Sequence, residues 1–269
     1  MKSKISLNGR VISDSMVKFS GGEIQLVIPD GLISLNDVNF VEADLRCSEG
    51  VMLLMQLGFL LSPVFKKLHM GYLPYARYDR VEEQGDVLSI KVFCNMVNSL
   101  GFDEVVIEDC HSDVGVALLD NCINVQQHKL VEILVPNLGE YDAIVAPDGG
   151  SVKKAYKLST ILGVPLLKCD KVRDFKTGKI TSFSVPEQAR QHIKVLIVDD
   201  ICDGGGTFIG LAEELHKQIP EVDLYVTHGI FSKGVEGLFD AGISNIYAFN
   251  DWIGSDKVES IYSSEKSVA

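Results

Sequence analysis

Five short apolar runs alternate with stretches whose apolar residues recur at helical spacing, and this alternation most narrows the choice of fold. The runs are residues 105–107, 143–145, 164–167, 195–198 and 224–227. Each is short, rich in Val, Ile and Leu, and lacks a polar alternate, as a strand buried on both faces does. After Pro147 come Val152, Ala155, Tyr156, Ser159 and Leu162, roughly on one helical face. After Gly206 come Phe208, Leu211, Ala212, Leu215 and Ile219. Strands alternating with helices indicate an α/β fold with a mostly parallel central sheet flanked by helices. Ligands of such sheets bind beyond the carboxyl ends of the strands.

A hydrophobic content of 46% in 269 residues excludes a disordered chain, and 24 Gly with 8 Pro excludes a collagen-like one. The net charge of −12 argues against nucleic acid and against anionic lipid. Residues 51–61 form the longest apolar run, broken by Gln56 and Gly58. A bilayer span needs about 20 residues, so this run reads as a buried helix. Residues 1–10 carry basic residues without a following apolar core, so no signal sequence is expected. Cys47, Cys94, Cys110, Cys122, Cys169 and Cys202 lack C-x-x-C spacing. Neither a zinc site nor a disulfide framework is expected, and the cytoplasm is the expected compartment.

A faint repeat pairs residues 105–115 with 195–205 at an offset of 90, matching at Val105, Ile107, Asp109, Asp113 and Gly115. It suggests two related halves, residues 1–125 and 126–269.

Residues 195–207 carry the strongest motif: an apolar strand, Asp199-Asp200, then Asp203-Gly204-Gly205-Gly206-Thr207 opening a helix. Glycines let backbone N–H groups approach a ligand closely, and a helix N-terminus favours a phosphate. Thr207 can cap that helix or donate its hydroxyl to the same phosphate. Asp199 and Asp200 can accept hydrogen bonds from sugar hydroxyls. The spacing fits neither G-x-x-x-x-G-K-[ST] nor G-x-G-x-x-G.

This segment resembles the phosphoribosyl-diphosphate loop of the type I phosphoribosyltransferase fold. Other motifs, in order, resemble those of the ribose-phosphate diphosphokinases. They are Phe19-Ser-Gly-Gly-Glu23, Tyr75-Ala-Arg-Tyr-Asp-Arg80, Asp109-Cys-His111, Ala146-Pro-Asp-Gly-Gly150, Asp170-Lys-Val-Arg173 and Thr227-His-Gly229. The resemblance covers roughly residues 17–252 and implies two phosphoribosyltransferase-like domains. It implies transfer of the β,γ-diphosphate of ATP to the anomeric hydroxyl of ribose 5-phosphate.

Roles follow from the resemblance residue by residue. Lys171 and Arg173, on a polar segment over residues 170–179 that closes over the site, are expected to neutralise charge during transfer. His111 and Asp148 match positions that bind magnesium and phosphates. Asp148 is the more natural ligand of a hard cation, and His111 contacts either metal or phosphate, with a catalytic part. Arg77, Tyr78, Arg80 and His111 are expected around ATP. Phe19 and Glu23 are expected to reach it from a neighbouring subunit, which implies a homo-oligomer, dimer-based or hexameric. Asp199, Asp200, Asp203, Gly204, Gly205, Gly206 and Thr207 are expected to hold the ribose phosphate.

Four departures from the family pattern stand out. Gly21 replaces a carboxylate or amide, and Tyr78 replaces a glutamine. Residues 81–86 read Val-Glu-Glu-Gln-Gly-Asp where the family is basic, so phosphate activation and ADP inhibition are expected to be weak or absent. Gly204 replaces a threonine hydroxyl and leaves room, so a larger acceptor such as ADP-ribose is the alternative to ribose 5-phosphate. A simple phosphoribosyltransferase would leave residues 19–23 and 75–80 without a job. A non-catalytic regulatory homologue would be expected to lack Lys171, Arg173 or His111.

The charge is also uneven. Residues 150–194 hold ten Lys and Arg against three acids, a net +7, which leaves −19 for the remainder. A compact polyphosphate met by a few placed cations is compatible with that distribution.

Overall fold

A computed structural model describes residues 2–62, 64–135, 138–173 and 180–263. The chain divides into two compact units, Met1–Gln126 and Gln127–Ala269.

The first unit contains β1 (Lys4–Leu7), β2 (Arg10–Val11), β3 (Met16–Lys18), β4 (Ile24–Leu26), β5 (Asn39–Asp44), α1 (Ser48–Leu60) and β6 (Lys66–Met70). It continues through α2 (Ser89–Asn98), β7 (Glu104–Glu108), α3 (Asp113–Leu118) and β8 (Cys122–Val125). Its sheet has the order β2-β1-β5-β6-β7-β8. The run β5-β6-β7-β8 is parallel, and β1 pairs antiparallel with both β2 and β5. One face carries the core. In β5, Val41 and Ala43 are buried whereas Phe40 and Glu42 are exposed. That period of two marks a sheet with one well-buried face.

In the second unit lie α4 (Gln127–Leu134), β9 (Ala143–Ala146), α5 (Val152–Leu162), β10 (Leu166–Lys168), β11 (Asp170–Arg173) and β12 (Ile180–Ser184). They are followed by β13 (Lys194–Cys202), α6 (Gly206–Leu215), β14 (Glu221–Gly229), α7 (Glu236–Asp240), β15 (Ile246–Asp251) and β16 (Val258–Ser263). The six-stranded sheet β10-β9-β13-β14-β15-β16 is parallel throughout. Its strands are buried on both faces. Val195 and Ile197 join one apolar cluster with Phe208, Leu211 and Leu215 of α6. Leu196 and Val198 join another with Ala155 and Leu158 of α5 and Val131 of α4. Helices cover both sides, which is why residues 195–198 are apolar without alternation. Strands β11 and β12 form a separate antiparallel ribbon.

The α/β architecture expected from the alternation is the one observed. Details differ. On α5 the buried residues are Ala155, Leu158 and Ser159, while Tyr156 is exposed. The repeat at offset 90 pairs β7 with β13, each a strand followed by a polar loop and a helix.

The run over residues 51–61 lies mostly in α1, which is not buried all round: Leu53, Leu54 and Leu57 are buried, whereas Met52, Phe59 and Leu60 are exposed. Its two interruptions have structural reasons. The Gln56 amide donates to Ile24 O at 2.8 Å, and its Oε1 accepts from Leu26 N at 2.7 Å, which fastens the β3–β4 hairpin. A Cβ at Gly58 would come within 2.7 Å of Leu100 Cδ1. No helix among the described residues is long and apolar enough to cross a membrane. All six cysteines are free thiols, and burial pushes Cys94, Cys169 and Cys202 up to about 12.

Candidate functional site

The second unit gathers its polar residues beyond the carboxyl ends of adjacent parallel strands, where an open α/β sheet leaves a crevice. After β9 the chain turns through Asp148, whose Oδ1 accepts hydrogen bonds from Gly150 N (3.0 Å) and Ser151 N (3.2 Å). The Ser151 hydroxyl donates to Asp148 O at 2.8 Å. The other carboxylate oxygen, Oδ2, lies 2.6 Å from Lys171 Nζ, carried by β11. Burial works against ionisation of Asp148, but the Lys171 ammonium and the two amides outweigh it, so its pKa is lowered. The ion pair is mostly shielded, with side chains 19% and 29% exposed. Of the expected closing segment, the Arg173 side chain and residues 174–179 lie outside what the structure describes.

On the next strand, Asp199 and Asp200 belong to β13 itself, which runs on to Cys202. Gln127 Nε2 donates to Asp199 O at 2.8 Å, and Asp200 N donates to Asp199 Oδ1 at 2.9 Å. Asp200 is buried and pairs with Lys154 Nζ of α5 at 3.3 Å. Asp199 behaves oppositely to Asp148. Burial first, then the negative charges of Asp200 and Asp148, push its pKa up. Three carboxylates are thus set close together, with Lys154 and Lys171 among them.

The glycine loop follows. Gly205 is the N-cap of α6 and has φ +74°, a left-handed conformation that residues with a Cβ adopt only at a cost. A Cβ there would also meet Leu238 Cδ2 at 3.3 Å. The N-cap of α6 is Gly205 and Thr207 lies inside the helix, so of the two uses open to Thr207, capping is not the one adopted. Its hydroxyl has no hydrogen-bond partner among the described residues. The loop thus leads directly into the N-terminus of α6, a position that favours an anion. The room left by Gly204 is not vacant. A Cβ at Gly204 would lie 3.6 Å from both Cδ and Cε of Lys233.

The first unit carries the other group of candidates. The β3–β4 hairpin presents Phe19 and Glu23, both exposed, at a tip closed by Phe19 N donating to Glu23 O at 2.8 Å. Lys18 pairs with Glu49 of α1 and steadies the hairpin further. Residues 75–80 follow β6, and Asp109 to His111 follow β7, so the two motifs leave neighbouring parallel strands at the same end. Arg77, Tyr78 and Arg80 are exposed. Asp79 links the motifs. Burial opposes its charge, but the Ser112 hydroxyl, the Arg80 guanidinium and the His111 imidazole beside it hold its pKa low. Arg80 Nε lies 3.3 Å from Asp79 Oδ1. Asp109 turns the chain towards His111 with φ +43°.

The expected residues thus form two sets. Phe19, Glu23, Arg77, Tyr78, Arg80 and His111 are in the first unit; Asp148, Lys171, Asp199, Asp200 and residues 203–207 are in the second. Asp79, Lys154 and Lys233 were not singled out from sequence. Asp79 sits inside a quoted motif, and Lys154 was counted in the basic stretch. Lys233 had no signal beyond a cation between Gly229 and Gly234.

A family model described as the phosphoribosyl transferase domain matches residues 129–251, nearly all of the second unit. The chain is 33% identical over 174 residues to the ribose-phosphate pyrophosphokinase of Mycoplasma genitalium, covering 63% of this chain and 52% of that protein. It is 28% identical over 250 residues to the ribose-phosphate pyrophosphokinase of Pyrococcus abyssi, covering 87% of this chain and 82% of that one. It therefore spans about half the length of the Mycoplasma relative. In fold it is similar to phosphoribosylpyrophosphate synthetase from Mycobacterium smegmatis, with a TM-score of 0.78 and 20% identity over 92% of this chain and 85% of that one. The second unit therefore carries a phosphoribosyl transferase domain, and the chain is similar over most of its length to ribose-phosphate pyrophosphokinases.

Proposed function

We propose that this protein transfers the diphosphate of ATP to the anomeric hydroxyl of ribose 5-phosphate, giving phosphoribosyl diphosphate and AMP. The observation that carries this reading is the placing of a glycine loop that opens a helix, Asp203 to Thr207, on the same strand ends as the Lys171–Asp148 pair. The loop takes the acceptor phosphate through the N–H groups opening α6 and the Thr207 hydroxyl. Asp199 and Asp200 meet the sugar hydroxyls.

The first unit supplies the nucleotide contacts. Arg77 stacks on the purine and reaches phosphate, which a point-charge Lys would do less well. Tyr78, Arg80 and His111 line the same strand ends. Phe19 and Glu23 on the hairpin tip reach the nucleotide of a neighbouring subunit in a homo-oligomer.

Phosphoryl-type transfer needs in-line positioning and cancellation of charge rather than a covalent intermediate. Lys171 provides a buried ammonium for the charge that builds on the leaving phosphate, and Arg173 a second cation. Magnesium suits the donor set. It takes one or two carboxylates together with substrate phosphates and keeps several waters. Asp148, with one oxygen held by amides and the other turned to Lys171, is the residue of the second unit that would hold it. In the first unit, the family resemblance gives His111 a metal or phosphate contact. When bound, magnesium supplies Lewis-acid neutralisation of the phosphate oxygens. Lys171, paired with the same carboxylate, stands beside that position and would offer its ammonium to the nucleotide phosphates.

A second reading keeps the same chemistry but takes a larger acceptor such as ADP-ribose. Gly204 favours it, because the loop offers no hydroxyl at that position and a lysine lies over it instead. Incubation with ATP and magnesium across a panel of pentose phosphates and ADP-ribose tests both, with AMP release and product mass as readouts.

A further inference from the structure

We infer that Lys233 is an acceptor-phosphate ligand and takes over the work of the hydroxyl that Gly204 lacks. The inference rests on the reading of residues 203–207 as the acceptor loop.

Lys233 stands on the loop between β14 and α7, and backbone hydrogen bonds tie that loop to the glycine loop. Ile230 N and Phe231 N both donate to Cys202 O, at 2.8 and 3.1 Å, and Ser232 N donates to Asp203 O at 3.0 Å. Gly234 N closes the turn by donating to Phe231 O at 2.8 Å. Phe231 is buried and held at φ +46°, and its ring occupies the place of a Cβ at Gly229. The turn is therefore built around Gly229 and pinned to the strand that carries the phosphate loop.

The consequence is where the Lys233 stem goes. Its Cγ, Cδ and Cε lie 3.9, 3.6 and 3.6 Å from the point a Cβ at Gly204 would occupy. The ammonium is one bond beyond Cε. A Cβ at Gly204 would touch that stem at ordinary van der Waals distance, so a hydroxyl there and the lysine would share one side of the loop. Lys233 has no ion-pair or hydrogen-bond partner among the described residues. An exposed ammonium whose stem lies beside the loop that opens α6 suits a doubly charged phosphate or a diphosphate ester.

Steady-state kinetics on Lys233→Met, Lys233→Gln and Lys233→Arg test this, with ribose 5-phosphate and ADP-ribose as separate arms. The expected result is a rise of at least about tenfold in KM for the acceptor in Lys233→Met and Lys233→Gln. Lys233→Arg stays within about threefold, and KM for ATP moves less than twofold. The double variant Lys233→Ala/Gly204→Thr, with space for its new hydroxyl, loses less than Lys233→Ala alone. The arm with the larger effect names the acceptor class. An acceptor KM within twofold of the wild type in Lys233→Met overturns the inference.

Should the wild type release no AMP with either acceptor, calorimetric binding of the same two compounds separates the claims. Binding to the wild type that weakens about tenfold in Lys233→Met upholds the ligand role and removes the transfer reading. Equal binding by both proteins, or none by the wild type, overturns the ligand role.

Discussion

Lys171 Nζ sits 2.6 Å from Asp148 Oδ2, so the cation proposed for transfer is paired with the carboxylate proposed for magnesium. The pair couples the two roles. A pair this shielded leaves a costly unpaired charge when one member is removed. Lys171→Ala is expected to lower kcat by about 100-fold or more, with a smaller change in KM for ATP. Asp148→Asn is expected to raise the magnesium concentration needed for half-maximal rate. Unchanged kcat in Lys171→Ala argues against its transfer role.

Asp148 and Asp199 respond to pH in opposite senses. The Asp148 pKa is lowered, so its contribution to stability is present above the unfolded value and is lost as pH falls through the folded one. The Asp199 pKa is raised, so stability is lost as pH rises through its folded value. Asp199→Asn is therefore expected to raise Tm at neutral pH while weakening acceptor binding. The gain should shrink on acidification, with about 2–4 °C for each kcal/mol of repulsion removed. A lower Tm at neutral pH would count against the repulsion.

Much of this was legible in the sequence. Residues 195–198 and 143–145 declared a doubly covered parallel sheet because both faces of those strands are apolar, and the glycines after Asp203 declared the anion loop. Tertiary placement was not legible. Nothing local to Lys233 says that its stem covers Gly204, because that contact depends on how the loop after β14 folds back around Phe231. The Lys154–Asp200 and Asp79–His111 relationships likewise join segments separated by 46 and 32 positions. The room inferred at Gly204 from its missing side chain was filled by a neighbour that sequence spacing does not reveal.

Thr207 gives a test of the acceptor loop free of folding effects. Its hydroxyl does not cap α6, so Thr207→Ala is expected to leave Tm nearly unchanged. KM for the acceptor should rise about tenfold, the worth of a hydrogen bond to a charged group. A fall in Tm of several degrees with unchanged KM would assign the hydroxyl a structural role.

The acidic stretch over residues 81–86 is exposed, and Asp86 Oδ2 accepts from Glu82 N and Glu83 N at 3.2 and 3.0 Å. That bonding fixes the turn and leaves Glu82 and Glu83 facing solvent. Their charge repels phosphate. Initial rates are expected to be flat from zero to about 10 mM inorganic phosphate, a range over which a 1 mM site would saturate. Activation severalfold over that range would contradict this.

Phe19 is 53% exposed on a hairpin tip braced by Gln56, so its removal should spare the fold. Phe19→Ala is expected to raise KM for ATP several-fold, and a variant verified as monomeric by sedimentation should lose ATP turnover. Full activity of such a monomer would remove the neighbouring-subunit role.

The most direct test of the central claim is product analysis by mass spectrometry after incubation with ATP, magnesium and ribose 5-phosphate, beside a parallel arm with ADP-ribose. The account predicts equimolar AMP and an acceptor carrying one added diphosphate, formed by the wild type and lost in Lys171→Ala. Formation of ADP rather than AMP, or no AMP with either acceptor, would contradict it.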